Sequence, residues 1–269
     1  MMNHTDSNFI FVRFKFSKLK EFKYLSHLDI LGIVSRALLR SGIKVRFDLS
    51  FNPKPKAALS NPIPLGVESM AEYCDVELKE DIGTSDFMEI INKNLPDLIR
   101  VTAVSRVYDK LPNVMSQADI VLYEFIIGRD RGDIDSKAEI NQMQEITPEE
   151  FYNVEDFTGI FKDWLQKNPA ISGTIYKDEI YNLEKKYPQR EKTDMAPYGN
   201  YKLGIYGYVK VLKENNNAIF KFNIFKQNLT GMLGQLNLNV KSVFKKELYL
   251  IKNGKLVTLI DAAQFEGQG

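Results

Sequence analysis

The chain has one cysteine, Cys74, among its 269 residues, and that scarcity excludes more than any motif does. A disulfide framework, a four-cysteine zinc site and a self-held iron–sulfur cluster all need more thiols than this. The same scarcity fits a reducing compartment, so the expected location is the cytoplasm. There are two histidines and no HExxH, and GxxxxGK[ST], GxGxxG and CxxxCxxC are also missing. Zincin, P-loop, dinucleotide and cluster chemistry therefore have no foothold, and no metal site is expected. An excess of charge is lacking as well. Thirty-six basic residues stand against 35 acidic ones, a net charge of +1, so a nucleic-acid partner has to be argued from local clustering. No stretch approaches the roughly 20 apolar residues that span a bilayer, and MMNHTDSNF has no charged region followed by an apolar one. A membrane partner is not expected. What is present is a hydrophobic fraction of 44%, enough for a full core, in a length that suits two modest domains.

FIFVRFKFS (9–17) alternates at period two, with Ile10, Val12, Phe14 and Phe16 on one side and Arg13 and Lys15 on the other. It predicts a strand with one wet, basic face. In YLSHLDILGIVSRALLRSG, Ser26 precedes Asp29 by three and Gly42 closes the segment, which predicts a capped helix burying Leu28, Leu31, Val34, Ala37 and Leu38. Strands are expected at 43–49, 71–80 and 99–108, and a helix capped by Thr84 at 84–95. The order β-α-β-β-α-β is that of a ferredoxin-like unit. A second round is expected to follow. It comprises a strand at 120–127, an unassigned polar tract over 128–146, and a helix opened by Thr147, Pro148 and Glu150 and ended by Asn168-Pro169. Strands at 171–183, 201–212 and 217–225, a short helix near 228–236 and a strand at 243–251 complete it. The expected fold class is thus α+β, two tandem ferredoxin-like (βαββαβ) units with antiparallel sheets. Residues 1–110 form the N-terminal domain, and 111–269 the C-terminal domain with insertions.

The residues that could carry chemistry are few. His27 follows a helix cap, where a structural hydrogen-bonding role competes with a catalytic one. Asp29, Arg36 and Arg40 share one side of the first helix, either as a solvated face with internal pairing or as a grip for phosphate. FNPKPKAALSNPIPLGVES (51–69) holds four of the ten prolines. Pro53 and Pro55 keep Asn52 and Lys54 out of the helical region, so the segment predicts an ordered, solvent-facing crossover with Lys54 and Lys56 on one side. With Arg13, Lys15, Arg46 and Arg106 projecting from strands, and Phe9, Phe11 and Phe51 offering stacking surfaces, it would complete a basic site for RNA. Against this, alternate positions of a one-sided sheet are polar anyway. KKYPQREKTDMAPY (185–198) is either a binding loop or a solvated insertion.

FVRFKFSK, YLSHLDIL, SRALLRSGI, FNPKPK, and PIPLGVES followed by EYCDVEL together resemble the bacterial radical-SAM-linked domain family of unknown function, found fused to or encoded beside cobalamin-binding radical SAM proteins. The resemblance is dense over residues 9–80, and REKTDMAPY resembles a segment of the family's second half. His27, Asp29, Arg36, Asn52, Pro53 and Lys56 match the family pattern. Gly32 stands where a further arginine is usual, Leu39 replaces one of a pair of arginines, and Lys54 replaces the histidine of FNPHPK. The resemblance implies an accessory, RNA-binding or substrate-positioning module with no catalytic activity of its own, working with a radical SAM protein on tRNA or rRNA. The chain itself would bind no cofactor, and the partner would carry the iron–sulfur cluster and S-adenosylmethionine. A metal-independent RNA endonuclease of the tandem ferredoxin-like type, with His27 as its acid or base, is the competing reading, and a structural scaffold is the third.

Overall fold

The computed structural model describes residues 10–107, 114–128, 154–172, 175–182, 186, 203–214, 217–220, 222–236 and 238–265. The polar tract from 129 to 146, the helix start at 147–150 and the 185–198 loop apart from Lys186 lie outside the described residues, as does Phe9. The chain is mixed α+β with a mainly antiparallel sheet. It divides into two compact units. The first comprises Met1–Leu122, Val211–Ile219 and Phe244–Gly269, and the second Tyr123–Lys210 and Phe220–Val243. The C-terminal residues thus join the N-terminal ones, whereas the sequence reading draws a single cut at 110/111.

In the first unit, β1 (Ile10–Lys18) is flanked by two antiparallel partners, β3 (Glu68–Leu78) and β4 (Ile99–Val107). Two helices, α1 (His27–Ser41) and α2 (Thr84–Asn94), pack on each other, and the even-numbered side of β1 packs into the same core. The α1 helix starts as the sequence predicts. The Ser26 side chain accepts from the Asp29 amide, the Asp29 carboxylate accepts from the Ser26 amide, and Gly42 closes the helix in the left-handed region at φ 74°. Its buried stripe is Ile30, Val34, Ala37 and Leu38, so the first turn is rotated from the expectation and Leu28 faces solvent. Gly83, not Thr84, precedes the first turn of α2, without a side-chain cap.

The expected strand at 43–49 is reduced to two bridges, Val45 to Leu78 and Phe47 to Pro55. The reason lies in what fills the edge of β3. A short strand within the proline-rich crossover, β2 (Ala57–Leu59), pairs with Cys74–Val76, and β9 (Asn239–Lys252) pairs in parallel with Glu68 and Ser69. The hairpin strand β10 (Lys255–Thr258) follows β9. The C-terminal helix α7 (Leu259–Phe265) then packs on β1 and β4. These last two elements lie beyond the expected ones. With α7 in place the expectation of a wet face on β1 fails, because both of its sides are covered.

The helix α3 (Val114–Gln117) precedes β5 (Ile120–Gly128), which begins in the first unit. The second unit contains α4 (Val154–Lys167), α5 (Pro169–Ser172), β6 (Ile175–Asn182), much of β7 (Leu203–Glu214), and α6 (Phe222–Gln235) after β8 (Asn217–Phe220). Its core is aromatic. The Tyr123 and Phe222 rings lie 4.6 Å apart, and Phe125 and Phe225 lie 5.3 Å apart. Gly207 lies close to both Phe125 and Phe225, and a Cβ there would meet each ring at 3.5 Å. Here α6 begins at Phe222, where the sequence reading continued a strand to 225.

Candidate functional site

The basic residues of the first unit separate into those consumed by the fold and those left open. Arg13 is consumed. Its guanidinium donates twice to the Asp75 carboxylate, at 2.7 Å each, and once to Gln117, and it is only 1% exposed. It sits at the centre of β1, opposite Asp75 across the β1–β3 pairing, and serves as a bidentate tie rather than a phosphate contact. Lys15 pairs with Glu247 on β9, and the Tyr73 hydroxyl donates to that same carboxylate. Burial, with Glu247 beside it, pushes the Tyr73 phenol well above its ordinary range. These contacts bind β9 to β1 and β3 through side chains as well as backbone.

Glu77 consumes two more. Arg46 Nε lies 3.3 Å from it and Lys56 Nζ 3.1 Å, so Lys56, expected as part of the basic wall, is held by a carboxylate. Arg106 pairs with Asp81 and donates to the Ile82 carbonyl. Arg40 extends from the last turn of α1 and donates to the Asn94 carbonyl at 2.6 Å, closing the end of α2. Asp29 is spent on the cap, where hydrogen bonds from Ser26 hold its carboxyl below the usual range.

Arg36, Lys54 and Asn52 remain exposed. The Arg36 guanidinium lies back along α1 over Gly32, 3.3 Å from where a Cβ would sit. Glycine at 32 leaves room for that head, and a larger residue there would have to move it. Lys54 belongs to a short arm. The Asp48 amide donates to the Lys54 carbonyl at 2.9 Å and the Lys56 amide to the Arg46 carbonyl at 2.8 Å. The tip is set by one carboxylate. Asp48 accepts from the Ser50 amide and hydroxyl and from the Lys54 amide, and the Ser50 bonds hold its carboxyl below its ordinary range. The Ser50 hydroxyl also reaches the Asn52 carbonyl at 2.9 Å. Leu49 and Phe51 are thereby presented to solvent in full. Pro55 is buried between exposed Lys54 and Lys56, as an extended segment requires. The expectation of a wholly solvent-facing crossover fails past this point, because Leu59, Ser60 and Asn61 are buried.

His27 is the first residue of α1 and half-buried. Burial lowers its pKa, with the nearby Glu72 opposing and Lys245 and Lys18 adding to the effect. Sequence reasoning passed over Lys18, Glu72 and Lys245. The signal for Lys18 was available, since it continues the period-two apolar side of Val12, Phe14 and Phe16.

A family model described as "Uncharacterized protein conserved in bacteria (DUF2344)" matches residues 12–168, more than half of the chain. The chain belongs to this family. The matched stretch includes Lys18, His27, Arg36, Lys54 and Glu72, and stops short of Lys245 and Glu247. No curated protein matches. Among solved structures, one described as "Crystal structure of Putative Chlorite dismutase TA0507" is similar at 10% identity and a TM-score of 0.27, covering 96% of this chain and 99% of that one. A mutant chlorite dismutase from Candidatus Nitrospira defluvii is similar at 11% identity and a TM-score of 0.21, covering 86% and 84%. Likeness of this degree assigns no activity.

Proposed function

We propose that the chain is a non-catalytic module that holds an RNA, a tRNA or rRNA, for a cytoplasmic radical SAM partner, the partner carrying the cluster and S-adenosylmethionine. The observation that carries this reading is the Asp48-braced arm. It presents Phe51, fully exposed, beside Lys54, a cation with no ion pair among the described residues. An aromatic face that accepts any base, next to an open ammonium, is the combination that single-stranded RNA recognition uses. Arg36 adds a second open cation on α1. The partner is argued from the resemblance of FNPKPK, SHLD and PIPLGVES to the radical-SAM-linked family. In the same reading the fold is tandem ferredoxin-like. The order β4-β1-β3, with the 43–49 segment bridging Leu78, supports this for the first unit.

The test is RNA binding as a function of salt. Replacing Arg36 and Lys54 together by Ala should weaken binding to unrelated sequences and reduce the salt slope by about 0.7 for each phosphate that is no longer neutralised. Phe51→Ala should weaken binding by about 1 kcal/mol or more without changing the slope. An unchanged affinity in both variants, with the protein folded, removes the reading. RNA cleavage without added enzyme, abolished by His27→Ala, would replace it with the endonuclease.

A further inference from the structure

The outward face of α1 carries apolar side chains that neither the core nor the arm uses. Leu28 is 75% exposed and Leu39 54%, while α2, packed beside α1, exposes no large apolar side chain. Single exposed leucines are ordinary. These two are related by position. Leu28, Gly32, Ser35 and Leu39 stand at i, i+4, i+7 and i+11, so they form one line along the helix, on the side away from the buried Ile30, Val34, Ala37 and Leu38. By size the line reads the same in both directions, with a leucine at each end and two small residues between.

The charges beside this line are sorted by end. Asp29 lies at its N-terminal end and Arg36 and Arg40 toward its C-terminal end, all on one flank. The two bonds from Ser26 to the Asp29 carboxylate both end on Oδ2, and Oδ1 has none among the described residues. Arg36 makes no hydrogen bond or ion pair among the described residues, and its guanidinium lies over Gly32, at the middle of the line. Arg40 uses one nitrogen on the Asn94 carbonyl.

Such a face complements itself. When a second copy of α1 is turned antiparallel about a twofold axis that passes between Gly32 and Ser35, Leu28 of each meets Leu39 of the other and Gly32 meets Ser35. Small residues at the centre let the helix axes approach closely. The same axis keeps the charged flanks of both helices on one side of the contact and reverses their ends. Asp29 then falls level with the partner's Leu38, between the partner's Arg36 and the partner's Arg40. A parallel pair would put the two flanks on opposite sides and make no such match. We propose that α1 is a contact between two copies of this chain, paired antiparallel through Leu28, Gly32, Ser35 and Leu39, with Asp29 of each set between the arginines of the other. The Arg36 guanidinium turns from Gly32 onto the partner's Asp29, which clears the centre of the line. The arm takes no part, and the pairing stands whether or not the chain binds RNA, Arg36 being the one residue that the two readings share.

The experiment is sedimentation equilibrium of the full chain, run from about 5 µM to about 1 mM because a contact along one helix is small for a stable dimer. The wild-type mass should rise with concentration from that of one chain toward that of two. Leu28→Glu and Leu39→Lys should each weaken association about tenfold or more, since each substitution enters the contact twice. Both positions are exposed, so both variants should melt as the dilute wild type does. Combining the two substitutions should restore association, because the new carboxylate of each copy meets the new ammonium of the other. Arg36→Glu, which sets like charge against the partner's Asp29, should weaken association less than either leucine variant does. A wild type that stays monomeric throughout overturns the proposal, as do leucine variants that associate like the wild type. A double variant no stronger than the single ones overturns the antiparallel register. Leucine variants that keep wild-type association and lose RNA affinity overturn it in favour of an RNA surface.

Discussion

The two sides of β1 treat a buried cation in opposite ways. On the odd-numbered side, Arg13 has a bidentate carboxylate and an amide oxygen, and Lys15 has Glu247. On the even-numbered side, at the end of the strand, Lys18 is 4% exposed, its ammonium is not fully enclosed, and it has neither. The difference teaches that burial alone does not identify a structural cation. Arg13 is built into a network that joins β1, β3 and α3, and its charge is neutralised within the fold. Lys18 lies along the edge of the core with its ammonium reaching solvent, and no group among the described residues bonds it.

The largest effect should come from breaking the satisfied side. Asp75→Leu leaves the Arg13 guanidinium buried without its carboxylate and should cost about 3–5 kcal/mol in denaturant unfolding. Pairing it with Arg13→Met should recover most of that loss, because two apolar residues leave no orphaned charge. A double variant as unstable as the single one would mean that the strand packing, not the charge, is what Asp75 protects. A smaller loss, about 1 kcal/mol, is expected for Ser26→Ala, which removes the capping-box acceptor of α1. Its readout by amide exchange should be confined to the first turn, next to His27.

The smallest effect is a pH slope. Burial lowers the folded pKa of His27 below its ordinary value of about 6.5, so the folded chain binds the proton less readily than the unfolded chain. Stability associated with His27 is therefore full above about pH 6.5 and falls as pH drops through the window between the unfolded and folded values. Unfolding curves collected from about pH 8 down to about pH 5 should lose this slope in His27→Gln. Equal slopes in the two proteins would place His27 in a more open setting than the half-buried start of α1.

Much of the first unit was legible in the sequence because its signals are local. Period two in 10–16, the Ser26–Asp29 box, Gly42 and the spacing of Phe87 and Ile91 each act within a few residues, and the corresponding elements form. What was not legible is set by distant chain. The 43–49 segment has strand chemistry, yet β2 and β9 take the edge of β3. Arg13 and Lys15 read as a solvent face because the groups that cover and neutralise them are distant in the chain: Asp75 for the Arg13 charge, Gln117 beside it, Glu247 for Lys15, and α7 over the strand. Lys18 escaped for the converse reason. A lysine at the end of a strand is ordinarily discounted as its polar terminus, although its parity placed it on the apolar side.

Lys18 and Lys245 stand in the same row, one without a partner and the other bonded to Glu72, so a matched pair of variants tests the distinction between open and consumed cations most directly. Unfolding free energies of Lys18→Met and Lys245→Met should differ by about 3 kcal/mol, with Lys245→Met destabilised through the orphaned Glu72 carboxylate and Lys18→Met at or above wild type. Equal losses in the two variants would contradict the account, because they would make Lys18 as much a part of the fold's charge balance as Lys245.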